Sequence, residues 1–198
     1  MTTAVSYGAG VANDSELRLC GDVQGKRVIE LGIDTESNAP ALARAGARVI
    51  VVEPSAERIA AARAAAAEDG NRLEAHPGDL ADLGFATSAS VDLVLCVHRL
   101  DKVDDLARTL RQVHRVLRPE ARFVLATTHP AGAMLDTGAT VGSPVVRTYR
   151  EAEAFTLGQL FTALQRANFN VDALHELEPG PNAAAPTVLV LRARKLGD

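Results

Sequence analysis

The chain has 198 residues, of which 47% are hydrophobic and 23% are charged, so its composition is that of a folded globular protein and excludes a disordered one. A formal net charge of −4 argues against a broad nucleic-acid-binding surface. The sequence contains no apolar run of about 18 residues, and its N-terminus lacks the basic and apolar regions of a signal peptide. We therefore expect no nucleic-acid partner, no membrane span and a cytoplasmic location.

The length of the chain suits one domain over 1–198. Residues 1–25 form a lead-in that ends in a glycine-rich link. Residues 129–146 show no hydrophobic periodicity and contain several glycines, and a connection of this length inside a domain usually serves a function. We interpret 129–146 as a candidate lid or substrate-binding loop.

Strand-like apolar runs and helical patterns alternate from residue 28 onward. The predicted strands cover 28–31, 48–52, 73–76, 92–97 and 122–126, and the predicted helices include a segment carrying 41–47, then 56–68, 103–117 and 156–167. This alternation predicts an α/β fold with a parallel sheet and right-handed crossovers. Two final strands, 171–177 and 187–193, are separated only by a turn-rich segment, which predicts an antiparallel hairpin at one edge of the sheet.

The first two predicted strands frame a nucleoside-binding unit. Glu30 and Gly32 stand at the end of the first strand, and Glu53 ends the second strand twenty-one residues after Gly32. In βαβ units of this kind, an acid at the end of the second strand accepts hydrogen bonds from ribose hydroxyls. The spacing therefore favours Glu53 as a ribose ligand over a plain acid at a strand end.

Three stretches of the chain resemble the class I S-adenosylmethionine (SAM) dependent methyltransferases of the small bacterial type. Residues 30–36 keep the frame of that family's acid-x-Gly-x-Gly-x-Gly motif, with Asp34 and Glu36 at the second and third glycine positions. Residues 113–119, VHRVLRP, are similar to the signature before the family's fifth strand, and 167–169 resemble the end of its last helix. The resemblance implies a three-layer Rossmann-like sandwich, in which a mostly parallel seven-stranded sheet closes with a C-terminal antiparallel hairpin.

The resemblance also implies SAM as the cofactor and a set of residues that bind it. Glu53 would bind the ribose hydroxyls through charge-assisted hydrogen bonds. Asp79 would accept a hydrogen bond from the adenine amino group, with Leu80 against the ring. The other implied cofactor-binding residues belong to the methionine end or lie near the transferring methyl group: Glu30, Gly32, Asp34 and Val97.

Two histidines follow predicted strands at the same edge of the sheet and are candidate catalytic bases. His98 follows the fourth strand, and His129 follows the fifth. A structural or substrate-positioning role is the alternative for both. The other three histidines are scattered and the two cysteines are too few for a metal site or a disulfide framework, so the sequence predicts no metal.

These patterns lead us to expect a SAM-dependent methyltransferase that acts on a small-molecule acceptor. The alternative is a methyltransferase-like pseudoenzyme that has lost SAM binding through Asp34 and Glu36 and serves as a partner or regulatory subunit. A nucleotide-dependent oxidoreductase is a third hypothesis, and the closing hairpin and the 113–119 stretch argue against it. A homodimer and a protein partner both stay open.

Overall fold

Seven strands form one sheet in the computed structural model, which describes residues 4–197. The strands are β1 (Arg27–Leu31), β2 (Arg48–Glu53), β3 (Glu74–Pro77), β4 (Val91–Val97), β5 (Leu117–Thr128), β6 (Phe169–Leu177) and β7 (Val188–Lys195). The helices are α1 (Asp14–Leu17), α2 (Ala39–Arg44), α3 (Ala56–Ala67), α4 (Leu106–Val116) and α5 (Leu157–Arg166).

The sheet has the strand order β3-β2-β1-β4-β5-β7-β6. Strands β1 to β5 pair in parallel, whereas β7 lies antiparallel between β5 and β6. The predicted α/β class, the mostly parallel seven-stranded sheet and the closing antiparallel hairpin are confirmed. The order places β1 between β2 and β4, so the carboxyl ends of these three strands meet at one edge.

The hydrophobic core lies on both faces of the sheet, because side chains alternate between the two faces along each strand. In β1, Val28 belongs to the cluster that packs with α2 and α3, while Ile29 belongs to the cluster that packs with α4 and α5. Leu42 and Leu110 are buried helix residues on the two sides. The central strands are buried on both faces, which explains their continuous apolar runs.

Local capping sets the starts of the two helices that flank the second face. Helix α4 begins at Leu106 rather than at residue 103, because Asp105 caps it through a hydrogen bond from the Arg108 backbone N–H (2.8 Å) and residues 100–102 form a 3₁₀ turn. Helix α5 begins after Thr156, whose side chain and that of Gln159 form a reciprocal capping box. Each helix therefore starts directly after its capping residue.

The N-terminal lead-in is attached to the body of the protein by a buried polar cluster. The Tyr7 hydroxyl donates to Asp14 Oδ1 (2.6 Å), and the same carboxylate accepts from the backbone N–H of Leu19 (2.7 Å) and Cys20 (3.2 Å). Arg122 from β5 donates to the Cys20 carbonyl oxygen (2.8 Å). Burial raises the pKa of Tyr7, so its hydroxyl stays protonated and available as a donor.

The candidate lid, 129–146, is held against the connection between β6 and β7. Thr140 forms an isolated antiparallel bridge with Ala183, and the Val141 N–H donates to the Asn182 carbonyl oxygen (3.1 Å).

Within residues 4–197, no helix is long and apolar enough to cross a membrane.

Candidate functional site: a cleft at the carboxyl ends of β1, β2 and β4

The structure brings most of the predicted site residues to one edge of the sheet. Glu30 and Gly32 stand at the end of β1, Glu53 ends β2, and Asp79 follows β3. Val97 and His98 stand at the end of β4. Open α/β sheets bind ligands at this edge, where the connections to the helices diverge.

Hydrogen bonds to the Glu30 carboxylate fix the end of the loop 32–38, which connects β1 to α2. This carboxylate is buried and accepts hydrogen bonds from the backbone N–H of Asn38 (2.6 Å) and Ala39 (3.1 Å) and from the Ser37 hydroxyl. Burial raises the pKa of Glu30 to about 7, although the hydrogen bonds from residues 37–39 lower it. Glu30 therefore shapes the start of α2, and its oxygens are taken by the loop.

The course of this loop explains how it accommodates acids at two glycine positions. Within 32–38, which is described throughout, a positive φ occurs at Gly32 (78°) and at no other residue. Asp34 and Glu36 are exposed and keep negative φ values, so neither needs the freedom of glycine. The two acidic side chains are consequently compatible with the backbone that the loop adopts.

Glu53 at the end of β2 binds the same loop through the backbone N–H of Ile33. Its side chain is 1% exposed; Oε2 accepts from the Ile33 N–H (2.8 Å) and Oε1 from the Ser55 N–H (2.9 Å). Arg58 donates to the Ile33 carbonyl oxygen (2.8 Å) and lies 3.8 Å from Glu53 Oε1. Each carboxylate oxygen can accept a second hydrogen bond, so a ribose hydroxyl could still bind Glu53 if it reached this buried position.

Asp79 and Leu80 line a cavity of about 480 Å³ at one end of the cleft. Leu80 is buried, and the Asp79 side chain is 59% exposed. Asp79 Oδ1 accepts from the Ala81 N–H (2.9 Å), while Oδ2 lies 3.8 Å from Arg108. An exposed carboxylate beside a buried apolar side chain offers both an acceptor and a packing surface for a purine.

His98 lines a second cavity, of about 560 Å³, at the other end of the cleft. Its Nε2 lies 2.8 Å from the Tyr7 carbonyl oxygen, and since a carbonyl only accepts, Nε2 carries the hydrogen. In the neutral ring Nδ1 is then the basic nitrogen, and no residue of 4–197 hydrogen-bonds to it. The backbone of His98 takes a positive φ (51°), which turns the chain sharply after β4.

The N-terminal lead-in covers this second cavity. The Ser6 N–H donates to Asn38 Oδ1 (2.7 Å), and Asn38 Nδ2 donates back to the Ser6 carbonyl oxygen (3.2 Å). Together with the hydrogen bond from His98 to Tyr7, these contacts join the lead-in to the loop after β1 and to the turn after β4. The sequence carried no signal for this covering, because each contact spans a long stretch of chain.

His129 is more deeply buried and both its ring nitrogens are engaged. Nδ1 accepts from the Ala131 N–H (3.1 Å), so Nε2 carries the hydrogen and donates to Glu176 Oε1 (2.7 Å). The side chain is 4% exposed. This arrangement leaves no ring nitrogen for a substrate proton, and a catalytic role for His129 stays a prediction.

Known proteins match the part of the chain that forms this cleft. A family model described as a methyltransferase domain matches residues 29–125, which run from β1 into β5. This match supports a class I SAM-dependent methyltransferase domain over these residues. A ubiquinone biosynthesis O-methyltransferase from Sodalis glossinidius is 31% identical over 114 residues, which are 58% of this chain and 46% of that protein. The chain thus spans about half the length of this curated relative.

Solved structures share the methyltransferase fold over almost the whole chain. A SAM-dependent methyltransferase from Mesorhizobium loti superposes with a TM-score of 0.74 at 24% identity, covering 91% of this chain and 96% of the other. The 1,6-didemethyltoxoflavin-N1-methyltransferase from Burkholderia thailandensis, solved with 1,6-didemethyltoxoflavin and S-adenosylhomocysteine, has a TM-score of 0.64 at 22% identity and covers 93% of this chain and 75% of the other. At these identities the likeness concerns the fold.

SAM is the cofactor of this family, and the cleft fits it at both ends. One end of the cleft offers Asp79 and Leu80, and the opposite end offers Val97 and His98. The middle differs: a Cβ built on Gly32 would lie 2.8 Å from Cβ and Cγ of Arg99 and 3.0 Å from Leu80 Cδ1. The space over Gly32, where glycine would allow a ligand to approach the backbone, is filled by the chain's own side chains.

Arg99 and Asp101 are site residues that sequence reasoning missed. Arg99 Nε, Asp101 Oδ1 and Thr127 Oγ1 are buried without a hydrogen-bond partner among the described residues. Asp101 lines the His98 cavity and also a neighbouring cavity of about 460 Å³ formed with the 129–146 segment. The only sequence signal for both residues was their position directly after β4, next to His98.

Proposed function

We propose that this chain is a SAM-dependent methyltransferase that acts on a small-molecule acceptor. The observation that carries the proposal is the pairing of the two cavities at the carboxyl ends of β1, β2 and β4, one beside Asp79 and one beside His98. The cavity beside Asp79 would bind the nucleoside of the cofactor, and the cavity beside His98 would bind the methyl acceptor. The functions named for the two similar methyltransferases, which act in ubiquinone biosynthesis and on 1,6-didemethyltoxoflavin, support a small organic acceptor.

In this proposal the residues of β1 to β3 bind and orient the cofactor. Asp79 accepts from the adenine amino group, Leu80 packs on the ring, and Glu53 accepts from the ribose. Glu30 keeps the loop 32–38, which contains Gly32 and Asp34, in place at the methionine end of the cofactor.

The acceptor lies in the cavity lined by Val97, His98 and Asp101. When bound, SAM supplies an electrophilic methyl group, and transfer to a good nucleophile depends mainly on in-line positioning. His98 Nδ1 takes the proton of the acceptor hydroxyl or N–H, while the hydrogen bond from Nε2 to Tyr7 fixes the ring. The N-terminal lead-in excludes water from this end of the cleft.

The acceptor chemistry that fits the site is a hydroxyl or a ring nitrogen on a small molecule. The neighbouring cavity of about 460 Å³ has room for the rest of such a molecule, and 129–146 forms one of its walls. We propose that 129–146 acts as the lid of the acceptor site and that the protein is cytoplasmic.

Calorimetric titration with SAM and S-adenosylhomocysteine tests the proposal. We expect the wild type to bind both ligands, and ligand at one hundred times the dissociation constant to stabilise the fold by about 2.7 kcal/mol. An Asp34→Gly/Glu36→Gly variant should bind with similar affinity, because neither residue has a glycine backbone conformation. Glu178→Gly, a loop acid outside the cleft, is the matched control.

Binding by the glycine-restored variant alone would contradict the proposal and favour the pseudoenzyme alternative. If the wild type binds, methyl transfer from isotopically labelled SAM to panels of phenols, catechols and nitrogen heterocycles identifies the acceptor. His98→Gln should then lower the transfer rate by about 10²-fold while SAM affinity stays unchanged.

A further inference from the structure

Another cavity, here called the outer cavity, lies where helices α2 and α3 meet the loop after β1. Its volume is about 550 Å³, which is within the range of small-molecule sites in proteins. Residues 35–38 line it and also line the His98 cavity, so this short stretch of the loop is a wall that the two cavities share. None of the residues assigned above to the cofactor or the acceptor lines the outer cavity, which therefore lies outside the cleft.

Most of the wall of the outer cavity is apolar and is built from small side chains. Helix α3 is rich in alanine, and three of its alanines lie in this wall. Alanine side chains fill little of the space between two helices and a loop, so room remains for a ligand. The apolar lining, which can bind a hydrocarbon or aromatic body by removing it from water, consists of Ile33, Pro40, Ala41, Ala61, Ala62 and Ala65.

Arg58 of α3 adds a cation with unused donors to this apolar wall. Its Nη1 donates to the Ile33 carbonyl oxygen (2.8 Å) and lies 3.8 Å from Glu53 Oε1, which fixes one side of the guanidinium. Nε and Nη2 make no hydrogen bond with any residue of 4–197. These two nitrogens form the edge of a guanidinium that binds a carboxylate through two parallel N–H···O hydrogen bonds.

The other charged groups of the wall leave this preference for an anion in place. Arg44 of α2 is engaged by Asp69, because its Nε donates to Asp69 Oδ2 (3.0 Å). Glu36 is the one acid among the residues that line the outer cavity within 4–197, and it is exposed. Two cations and one acid give the wall a net positive charge, although the whole chain has a net charge of −4.

We propose that the outer cavity is a binding site for a small organic carboxylate. The apolar body of the ligand lies against the alanines of α2 and α3, and its carboxylate pairs with Nε and Nη2 of Arg58. The site is separate from the cofactor cleft, and the proposal does not depend on methyl transfer.

NMR of protein labelled with ¹³C at the alanine methyl groups tests the proposal, because Ala41, Ala61, Ala62 and Ala65 report directly on the outer cavity. The probes are phenylacetate, indole-3-acetate and hexanoate, each compared with its neutral amide. We expect at least one carboxylate to shift these methyl signals saturably, and its amide to bind at least about fivefold more weakly because it lacks the charge that pairs with Arg58.

Three variants test the role of charge in the wall. Arg58→Gln should weaken carboxylate binding at least about fivefold and leave amide binding unchanged. Glu36→Gln should tighten carboxylate binding about twofold, because it removes a like charge from an exposed position. Arg63→Gln, at an exposed arginine of α3 that does not line the cavity, is the control and should change neither. Melting temperatures of the free variants establish that each is folded; if Arg58→Gln is not, Glu36→Gln and the amides still test the charge.

Two sets of results would overturn the proposal. The first is the absence of a saturable shift with all three carboxylates, or equal binding of the acids and their amides. The second is unchanged carboxylate binding in a folded Arg58→Gln protein, or loss of binding when S-adenosylhomocysteine saturates the protein, since the carboxylate would then use the cofactor cleft.

The outcomes separate this inference from the proposed function. The alanine signals are measured on the protein without SAM, so failure of S-adenosylhomocysteine to bind would remove the proposed function and leave the carboxylate site standing. Binding of S-adenosylhomocysteine with no response of the outer-cavity alanines to any carboxylate would remove this site and keep the methyltransferase.

Discussion

The two walls of the cleft differ in how well their polar groups are satisfied. On the β1 and β2 side, the buried carboxylates of Glu30 and Glu53 accept from five donors of the loop and its neighbours. On the β4 side, Arg99 Nε and Asp101 Oδ1 are buried and have no partner within residues 4–197. A network in which every polar group is hydrogen-bonded is rigid and pre-organised, whereas an unpaired polar group can gain a hydrogen bond from a ligand or from a rearrangement. The β1 and β2 wall is therefore the rigid part of the site, and the β4 wall is the part that can adapt.

The same chemical change on the two walls should have very different effects on stability. Glu53→Gln places an amide where two backbone N–H groups need an acceptor, and we expect it to lower the free energy of unfolding by about 3 kcal/mol. Asp101→Asn should change it by less than about 0.5 kcal/mol, because Oδ1 receives no hydrogen bond and Oδ2 pairs with the exposed Lys102. Urea unfolding measures both, and equal losses would remove the distinction between the walls.

Gly32 is where the two walls touch, and substituting it should test that contact. Gly32→Ala combines a φ of 78° with a Cβ placed 2.8 Å from Arg99, so we expect a loss of about 2 to 3 kcal/mol. Gly25→Ala is the matched control, since φ is 70° there and nothing lies within 4 Å; it should cost about 1 kcal/mol. Urea unfolding gives the loss in free energy of unfolding for each variant, and the difference between the two losses is the energy of the contact with Arg99. A difference of zero would mean that the walls are not in firm contact.

The pH dependence of stability should report the burial of Glu30. Its pKa in the folded protein, about 7, lies above the ordinary value of 4.5, so the folded state keeps the proton in a range where the unfolded state has lost it. The contribution of Glu30 is therefore complete below pH 4.5 and is lost as pH rises through 7, with a slope of at most about 1.4 kcal/mol per pH unit. Glu30→Gln should remove this slope in urea titrations between pH 5 and 7, whereas Glu178→Gln should retain it.

The smallest expected effects concern backbone conformation at two acids: Glu120, which has a positive φ, and Asp34, which stands at a glycine position of the family motif. Glu120 has a φ of 62°, so Glu120→Gly should stabilise the protein by about 0.5 to 1 kcal/mol. Asp34 keeps a negative φ, so Asp34→Gly should lower stability by up to about 1 kcal/mol through the entropy of the unfolded chain. Thermal unfolding measures both, and a gain in Asp34→Gly would show that the loop prefers a glycine conformation.

The amino-acid sequence by itself determined the order of the strands and helices, because apolar periodicity and capping residues act over a few neighbouring positions. It also placed Glu30, Glu53, Asp79 and His98 at strand ends, since parallel connections bring those ends to one edge. The helix end at Asn168, with a φ of 63°, was likewise predictable from local preference.

Only the tertiary structure decided what those residues contact. His98 meets the carbonyl of Tyr7 across 91 residues of chain, and His129 meets Glu176 across 47. Arg99 covers Gly32 because β4 packs beside β1, a pairing that no local pattern around either residue encodes. Burial and hydrogen bonding between distant segments depend on how the whole chain packs. The sequence could therefore predict where the site lies, but only tertiary packing determined which of its polar groups are hydrogen-bonded within the protein and which are not.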